Sequence, residues 1–403
     1  MAFVAVLREL TREQRHVVFA SFLGWTLDAF DYFLLVFVIP EIAHDFDVGL
    51  TEVSFSLMLT LAMRPIGALL FGRLADRFGR RPILMLDIAL FAILEAASAL
   101  APSLTVLLVV RALFGVAMGG EWGIGASLAL ESIPAKARGL VSGILQEGYA
   151  VGYLLGAVAY WLAFDMIGWR GMFALGILPA LLILYIRRSV PESPAWQRAR
   201  SRPAPRLLDS IRDHWPLLIY LIVLMTAFNM FSHGSQDLYP TFLKQQMHLG
   251  TATVSKLTIA LNIGAILGGL IFGAWSQRIG RRRAIVAAAL LAWPMIPLWA
   301  YGGSILLLGI GVFGLQVMVQ GAWGIVPVHL NELCPAGARA TLPGFVYQVG
   351  NLLASGTATF LTWYAAQRGG DFAFAMASFI AAVAIVLAFL SAFGPESKGT
   401  SLD

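Results

Sequence analysis

Gly72-Arg73-Leu74-Ala75-Asp76-Arg77-Phe78-Gly79-Arg80-Arg81 returns 201 positions later as Gly273-Ala274-Trp275-Ser276-Gln277-Arg278-Ile279-Gly280-Arg281-Arg282. The same displacement carries Gly120 onto Gly321, Trp122 onto Trp323, Pro134 onto Pro335 and Arg138 onto Arg339. One spacing that fits landmarks in several places is the mark of an internal duplication, so the chain reads as two copies of one plan. The second copy of the loop is the weaker one, with Gln277 where Asp76 stands. In both, glycines permit a tight turn between long apolar segments.

Those apolar segments decide the class. Of 403 residues, 59% are hydrophobic and only 13% charged, with a mean hydropathy of +0.77, more apolar surface than a soluble core of ordinary composition hides. At about 20 residues per crossing, runs near 17–39, 54–71, 82–101, 105–130, 140–162, 170–187, 216–242, 253–275, 284–301, 304–327, 342–364 and 372–393 predict an all-α membrane protein with twelve transmembrane helices. Basic residues gather in alternate connections: Arg8, Arg12 and Arg15, then Arg73 to Arg81, Lys136 with Arg138, Arg187 to Arg212, and Arg278 to Arg283. By the positive-inside rule these connections and both termini are cytoplasmic, and the net charge of +5 reflects orientation in a cell (inner) membrane rather than nucleic-acid binding. The first run lacks a small-residue cleavage signature and reads as a retained helix. The single cysteine, Cys334, excludes a cysteine-built metal centre and an intrachain disulfide. An Arg- and Pro-rich stretch divides the chain into a six-helix bundle at 1–189, a cytoplasmic linker at 190–215 and a second bundle at 216–403.

Polarity inside the membrane points to the work. In the seventh run, Asn229, Ser232, His233, Ser235, Gln236, Asp237 and Thr241 interrupt apolar sequence. Asn229, His233 and Asp237 are four apart and share a helical face, with Ser232 and Gln236 beside them. An unpaired Asp near the midplane costs ~2.5–3.5 kcal/mol or more, so this face meets protein or water and is a functional candidate. Pro240 leaves the carbonyl of Gln236 without its helical donor. A polar seam between helices is the plainer reading of the same residues.

The first half adds charges that the second lacks. Asp28 falls on Asn229 under the repeat, and Asp28 with Asp31, three apart, would raise each other's proton affinity. Glu121 and Glu147 have Ala322 and Gln348 as mates, which confines ionisable character, and with it proton traffic, to the first half. Arg64 lies about two turns before Gly72, too deep for a surface anchor, and its planar fork suits a carboxylate. A bridge from Arg64 or Arg111 to either Asp is the alternative, while Glu95 reads as a pairing or surface carboxylate. Gln316, Gln320, Trp122, Trp323 and Tyr347 are expected to wall a cavity.

The pattern Asn229-x-x-Ser232-His233-x-Ser235-Gln236-Asp237-x-x-x-Thr241 resembles the signature of fungal lactate/pyruvate permeases in the sialate:proton symporter family of the major facilitator superfamily. Gly72 to Arg81 looks like the cytoplasmic loop signature of that superfamily, and Arg111 to Gly120 and Pro191 to Pro194 resemble further motifs of it. The resemblance implies two bundles related by an axis along the membrane normal, rocking about a cavity lined by helices 1, 4, 7 and 10. It implies proton-coupled uptake of a small monocarboxylate such as lactate or pyruvate. Arg64, Asn229, His233, Gln236, Asp237, Gln320 and Tyr347 would then hold substrate, and Asp28, Asp31, Glu121 and Glu147 would carry the proton. Gly72, Asp76, Arg77, Gly79 and Arg80 would form the conformational loop, although Arg80 and Arg81 read equally as solvated anchors of topology. Some sialate carriers have additional helices, which favours the smaller acids.

Expected partners are a small organic anion, a proton and the bilayer, with no cofactor or metal and a monomeric chain. The rival substrates are sialate or an aromatic acid. A membrane sensor or enzyme would need a signalling domain, P-loop, His-Glu-x-x-His or Gly-x-Ser-x-Gly, and the sequence has none. The orientation is testable: a cysteine introduced by Arg202→Cys should stay unreactive toward an impermeant reagent applied outside intact cells, and external labelling would invert the topology.

Overall fold

The computed structural model describes residues 7–199, 207–335 and 338–402. Among these the regular secondary structure is all helix, with no strand. In chain order the main elements are α1 (Arg12–Phe37), α2 (Leu50–Phe78), α3 (Arg80–Ala99), α4 (Leu104–Ser132), α5 (Arg138–Gln146), α6 (Gly148–Leu175), α7 (Ala180–Ser189) and α8 (Pro194–Ala199). They continue as α9 (Leu207–Gln236), α10 (Thr251–Ile279), α11 (Arg281–Ala292), α12 (Met295–Tyr301), α13 (Ile305–Trp323), α14 (Val326–Leu333), α15 (Leu342–Ala354), α16 (Thr357–Ala366) and α17 (Phe372–Phe393). Short helices at Ile39–Asp45 and Tyr239–Gln245 sit in the connections α1–α2 and α9–α10.

Among the described residues nine helical stretches are long and apolar enough to cross a membrane, and ten if α11 and α12, bent by 40°, form one crossing. The other two expected runs are helical but interrupted. The kink at Gly168 (φ 61°) and the break from Gly176 to Pro179 leave the sixth run as the end of α6 plus the ten-residue α7, and Ser355-Gly356 separates α15 from α16, so neither run is one helix long enough to cross. Residues 190–215 also differ from a bare linker. They contain α8, whose Trp196 Nε1 donates to the carbonyl of Asp76 at 3.0 Å, and α9 starts at Leu207 with a kink at His214 before Pro216.

The duplication is visible in the packing. Ser103 and Ser304, 201 apart, each cap a helix by accepting from a backbone N–H three residues on, Val106 at 3.4 Å and Leu307 at 3.3 Å. Backbones of α2 and α4 touch where a Cβ on Gly67 would fall 1.8 Å from Val116 O, and α10 and α13 repeat this with Gly268 and Val317 O at 2.2 Å. In lipid, where apolar side chains gain little by meeting one another, such close approach is what holds helices together.

Both halves are clamped at the basic end, the end that carries the arginine-rich connections. Arg80, placed in the conformational loop with a solvated anchor as the other reading, is buried between Asp76 at 3.2 Å and Glu131 at 3.0 Å, which the solvated reading does not fit. Its mate Arg281 holds Glu332, 201 beyond Glu131, through two 3.0 Å bonds. Gly79 turns the chain into α3 at φ 113°, and Gly280 does the same at φ 101°. Arg77 is exposed and lies 5.1 Å over the Phe78 ring, outside this clamp.

Asp76 also ties one half to the other. Its carboxylate accepts from the backbone N–H of Ala340 and Thr341, each at 3.2 Å, and from the Thr341 hydroxyl at 2.5 Å, so a negative charge sits at the start of α15. Gly72 lets the chains approach: a Cβ there would lie 2.6 Å from Thr341 Cα. Across the pseudo-axis the neutral Gln277 accepts only one such bond, from Gly139 N at 3.3 Å. Ser127 completes the seam by bonding Asn331 at 2.9 Å and Arg339 O at 2.6 Å.

Asp76→Ala removes three bonds to a charged acceptor, each worth about 1.5–3 kcal/mol. It should loosen the basic end, raising alkylation of a Ser127→Cys thiol from that side by tenfold or more; unchanged reactivity would mean that Asp76 does not hold the halves closed.

Candidate functional site

Away from the basic end the helices diverge around a cavity of about 510 Å³. Its walls come from α1, α2, the α5–α6 junction, α9, α10, α13 and α15. No described residue of α4 lines it, which corrects the expectation that the fourth membrane helix does. The reason is steric: α4 is drawn against α2, where a Cβ on Gly119 would lie 2.1 Å from Arg64 O, and its polar Glu121 turns toward α1. That contact fixes the depth of Arg64.

All seven residues expected to hold substrate line the cavity: Arg64, Asn229, His233, Gln236, Asp237, Gln320 and Tyr347. Arg64 is 4% exposed and donates from Nη2 to Asp28 Oδ2 at 3.0 Å, while its Nε has no partner among the described residues. Among the described residues it is the only Arg or Lys that lines the cavity. Buried ions of this sort hold their place only when paired, and removal of one partner costs about 3–5 kcal/mol.

The opposite wall is a hydrogen-bonded row on α9. His233 Nδ1 meets Asp237 Oδ2 at 2.9 Å, one turn apart, and His233 Nε2 meets Asn351 Oδ1 of α15 at 3.1 Å. Ser232 Oγ accepts from Gln236 at 2.8 Å and from Gln320 of α13 at 3.3 Å. Asn229 folds its amide back onto Met225 O at 2.8 Å. Ser235 does not line the cavity; it bonds Gln316 at 3.0 Å behind the wall, so the plainer reading as a helix seam fits these two. Tyr347 packs against three tryptophans, with centroids 4.7 Å from Trp122, 5.6 Å from Trp323 and 6.3 Å from Trp25. Trp122 therefore braces the wall from outside.

The four expected proton carriers separate. Asp28 contacts Arg64. Glu147 lines the cavity floor at the α5–α6 break, with its Oε1 so close to α10 that a Cβ on Gly269 would overlap it at 2.0 Å. Asp31, expected to share a setting with Asp28, is buried outside the cavity, where its carboxyl and Glu95 both pack against Gly176. Three residues along a helix is a turn of about 300°, enough to send the two aspartates to different neighbours. Glu121 is fully buried in a separate recess with Ser21, Trp25 and Gly125. Arg111 bridges neither Asp; it grips Glu95 through two bonds of 3.0 and 2.7 Å, which makes Glu95 a structural partner.

Sequence reasoning passed over several residues. Tyr32, Tyr149 and Tyr153, together with Asn262 and Asn351, also line the cavity, and nothing in their spacing separates them from packing aromatics or capping amides. Asp87 was legible: it is a lone carboxylate inside an apolar run, with Ala288 as its repeat mate, and it is fully buried in α3.

This fold has relatives. The chain belongs to the Major Facilitator Superfamily, whose family model matches residues 21–358. It is similar to a carboxylic acid transporter protein homolog of Saccharomyces cerevisiae, 31% identical over 384 residues that cover 88% of this chain and 62% of that protein, so the chain spans less than two thirds of that relative. The sialic acid transporter NanX of Escherichia coli is 29% identical over 368 residues, 89% of each chain. Among solved structures, the proton:xylose symporter XylE bound to 6-bromo-6-deoxy-D-glucose superposes with a TM-score of 0.79 at 20% identity, covering 97% of this chain and 98% of that one, a likeness of fold.

Arg64 can be tested apart from any transport assay. Arg64→Lys keeps the charge and loses the planar fork, so affinity for a carboxylate ligand in the folded protein should fall tenfold or more. Wild-type affinity in that variant would remove Arg64 from the binding site.

Proposed function

We propose that the protein is a proton-coupled symporter that takes up a small organic acid carrying one carboxylate, by alternating access between two six-helix bundles, 1–189 and 216–403. The carrying observation is the Arg64–Asp28 pair: one guanidinium facing the cavity, held through a single Nη2 contact, with its Nε free among the described residues. One fixed cation matches one carboxylate, and the acidic Glu147 and Asp237 on the same walls oppose a dianion. With the basic end taken as cytoplasmic, the cavity opens outward.

The proposed coupling follows from competition for Arg64. A carboxylate entering from outside and the carboxylate of Asp28 seek the same fork. Protonation of Asp28 removes its claim, and the substrate takes its place without leaving an unpaired charge in the bilayer. When Asp28 later loses the proton it competes again and drives the acid off. Substrate and proton thus bind with positive coupling. The α9 wall is proposed to orient the remainder of the molecule through Ser232, His233, Gln236 and Asp237, which offer both donors and acceptors to hydroxyl groups.

Lactate or pyruvate satisfies this chemistry. A second reading, a larger hydroxylated acid such as sialate, is favoured by the cavity volume of about 510 Å³, more than a three-carbon acid fills, and by the similarity to NanX. Counterflow in proteoliposomes loaded with lactate, sialate or an aromatic acid discriminates among these. Entry of labelled lactate driven by internal lactate supports the first reading, whereas exchange with sialate alone supports the second.

Asp28→Asn mimics the protonated state. It should abolish accumulation driven by a pH gradient while counterflow continues, whereas Asp237→Asn should damage both modes. If Asp28→Asn accumulates acid like the wild type and Asp237→Asn alone uncouples, the proton rides on α9 instead.

A further inference from the structure

Two carboxyl groups behind the cavity remain without a role in this scheme, Glu121 of α4 and Asp87 of α3. Both are fully buried, and none of their four carboxyl oxygens has a hydrogen-bond partner among the described residues. An unpaired carboxylate in such surroundings costs several kcal/mol, a penalty that the neutral acid avoids. Glu121 packs against α1, the helix that carries Asp28: its Oε1 is 2.3 Å from where a Cβ on Gly24 would stand, one turn before Asp28. The titratable or charged groups that face Glu121 are Asp28 of α1 and Arg64 of α2, and those that face Asp87 are Glu121 and Asp28. Asp31 and Glu95 belong to the separate Arg111 cluster, although Asp31 and Asp28 also bear on each other.

Their depths form a series. At 1.5 Å per residue, Asp28 is roughly 24 Å along α1 from Arg12, Glu121 roughly 16 Å along α4 from Ser132, and Asp87 roughly 10 Å along α3 from Arg80. All three starting points lie at the basic end, where Asp76 ties the two halves together.

We propose that Glu121 and Asp87 form a proton relay that runs inside the first half from Asp28 to the basic end, apart from the route of the acid. Asp87 releases its proton toward that end, the proton of Glu121 moves to Asp87, and that of Asp28 moves to Glu121. One proton has then entered from the cavity and one has left, Glu121 and Asp87 are neutral again, and Asp28 is anionic and re-forms its pair with Arg64. The relay rests on the proposed proton coupling and adds its exit path.

Asp87→Asn and Glu121→Gln keep the shape and neutrality of the resting acids but cannot pass a proton on. Each is reconstituted in proteoliposomes and assayed twice with labelled lactate, and again with labelled sialate, for counterflow at equal pH and for accumulation under an imposed pH gradient, with Asp87→Glu as the restored acid. The relay predicts counterflow within about twofold of wild type, at least tenfold less gradient-driven accumulation, and recovery in Asp87→Glu. Accumulation at the wild-type level in Asp87→Asn overturns it, as does equal loss of both modes in the folded variants, which would give these groups a merely structural role. Absence of counterflow in the wild type would instead defeat the symport reading itself.

Discussion

A guanidinium in the middle of an apolar bundle needs a counterion, and much of this structure arranges one. Arg64 is brought to its depth by the close α2–α4 contact at Gly119, and Asp28 of α1 meets it at 3.0 Å. Neither group could stand alone in lipid. The pair is nevertheless incomplete, since Arg64 Nε and Asp28 Oδ1 lack partners among the described residues. An ion pair satisfied on one side only, beside a cavity, is what an exchange of carboxylates requires.

The clamp at the basic end is the complement of this pair. Two copies of an arginine–glutamate lock, Arg80 with Glu131 and Arg281 with Glu332, stiffen each half, and Asp76 fastens the first to the start of α15. The second copy carries Gln277 in place of Asp76 and makes a weaker tie, so the two sides of the seam are unequal. A closure built from a few charged hydrogen bonds and glycine contacts can be undone by a few kcal/mol, the scale on which bound ligands act.

Much of this was legible in the sequence, for identifiable reasons. The 201-residue repeat gave the two-fold plan, because glycine contacts and caps such as Ser103 and Ser304 recur at the same spacing as the arginines. Periodicity on α9 put Asn229, His233 and Asp237 on one face, and they do line one wall. Spacing said less about Asp28 and Asp31, where a small angular offset decides between a pair with the cavity-lining Arg64 and the Arg111–Glu95 cluster. Glu147 and Tyr347 were expected, but Tyr149 and Tyr153 of α6, Asn262 of α10 and Asn351 of α15 were hidden, since such tyrosines and asparagines look like any packing residue until the helices are assembled. Breaks at Gly176 and Ser355-Gly356 escaped hydropathy because the flanking residues stay apolar.

The central claim is that an organic acid and a proton bind together because both act on the Arg64–Asp28 pair. It is tested most directly by mixing lactate or sialate with purified protein in weakly buffered detergent solution and following pH. The account predicts uptake of close to one proton per acid anion bound when the solution starts above the range in which Asp28 is already protonated. Saturable binding with no proton uptake across the accessible pH range would contradict it.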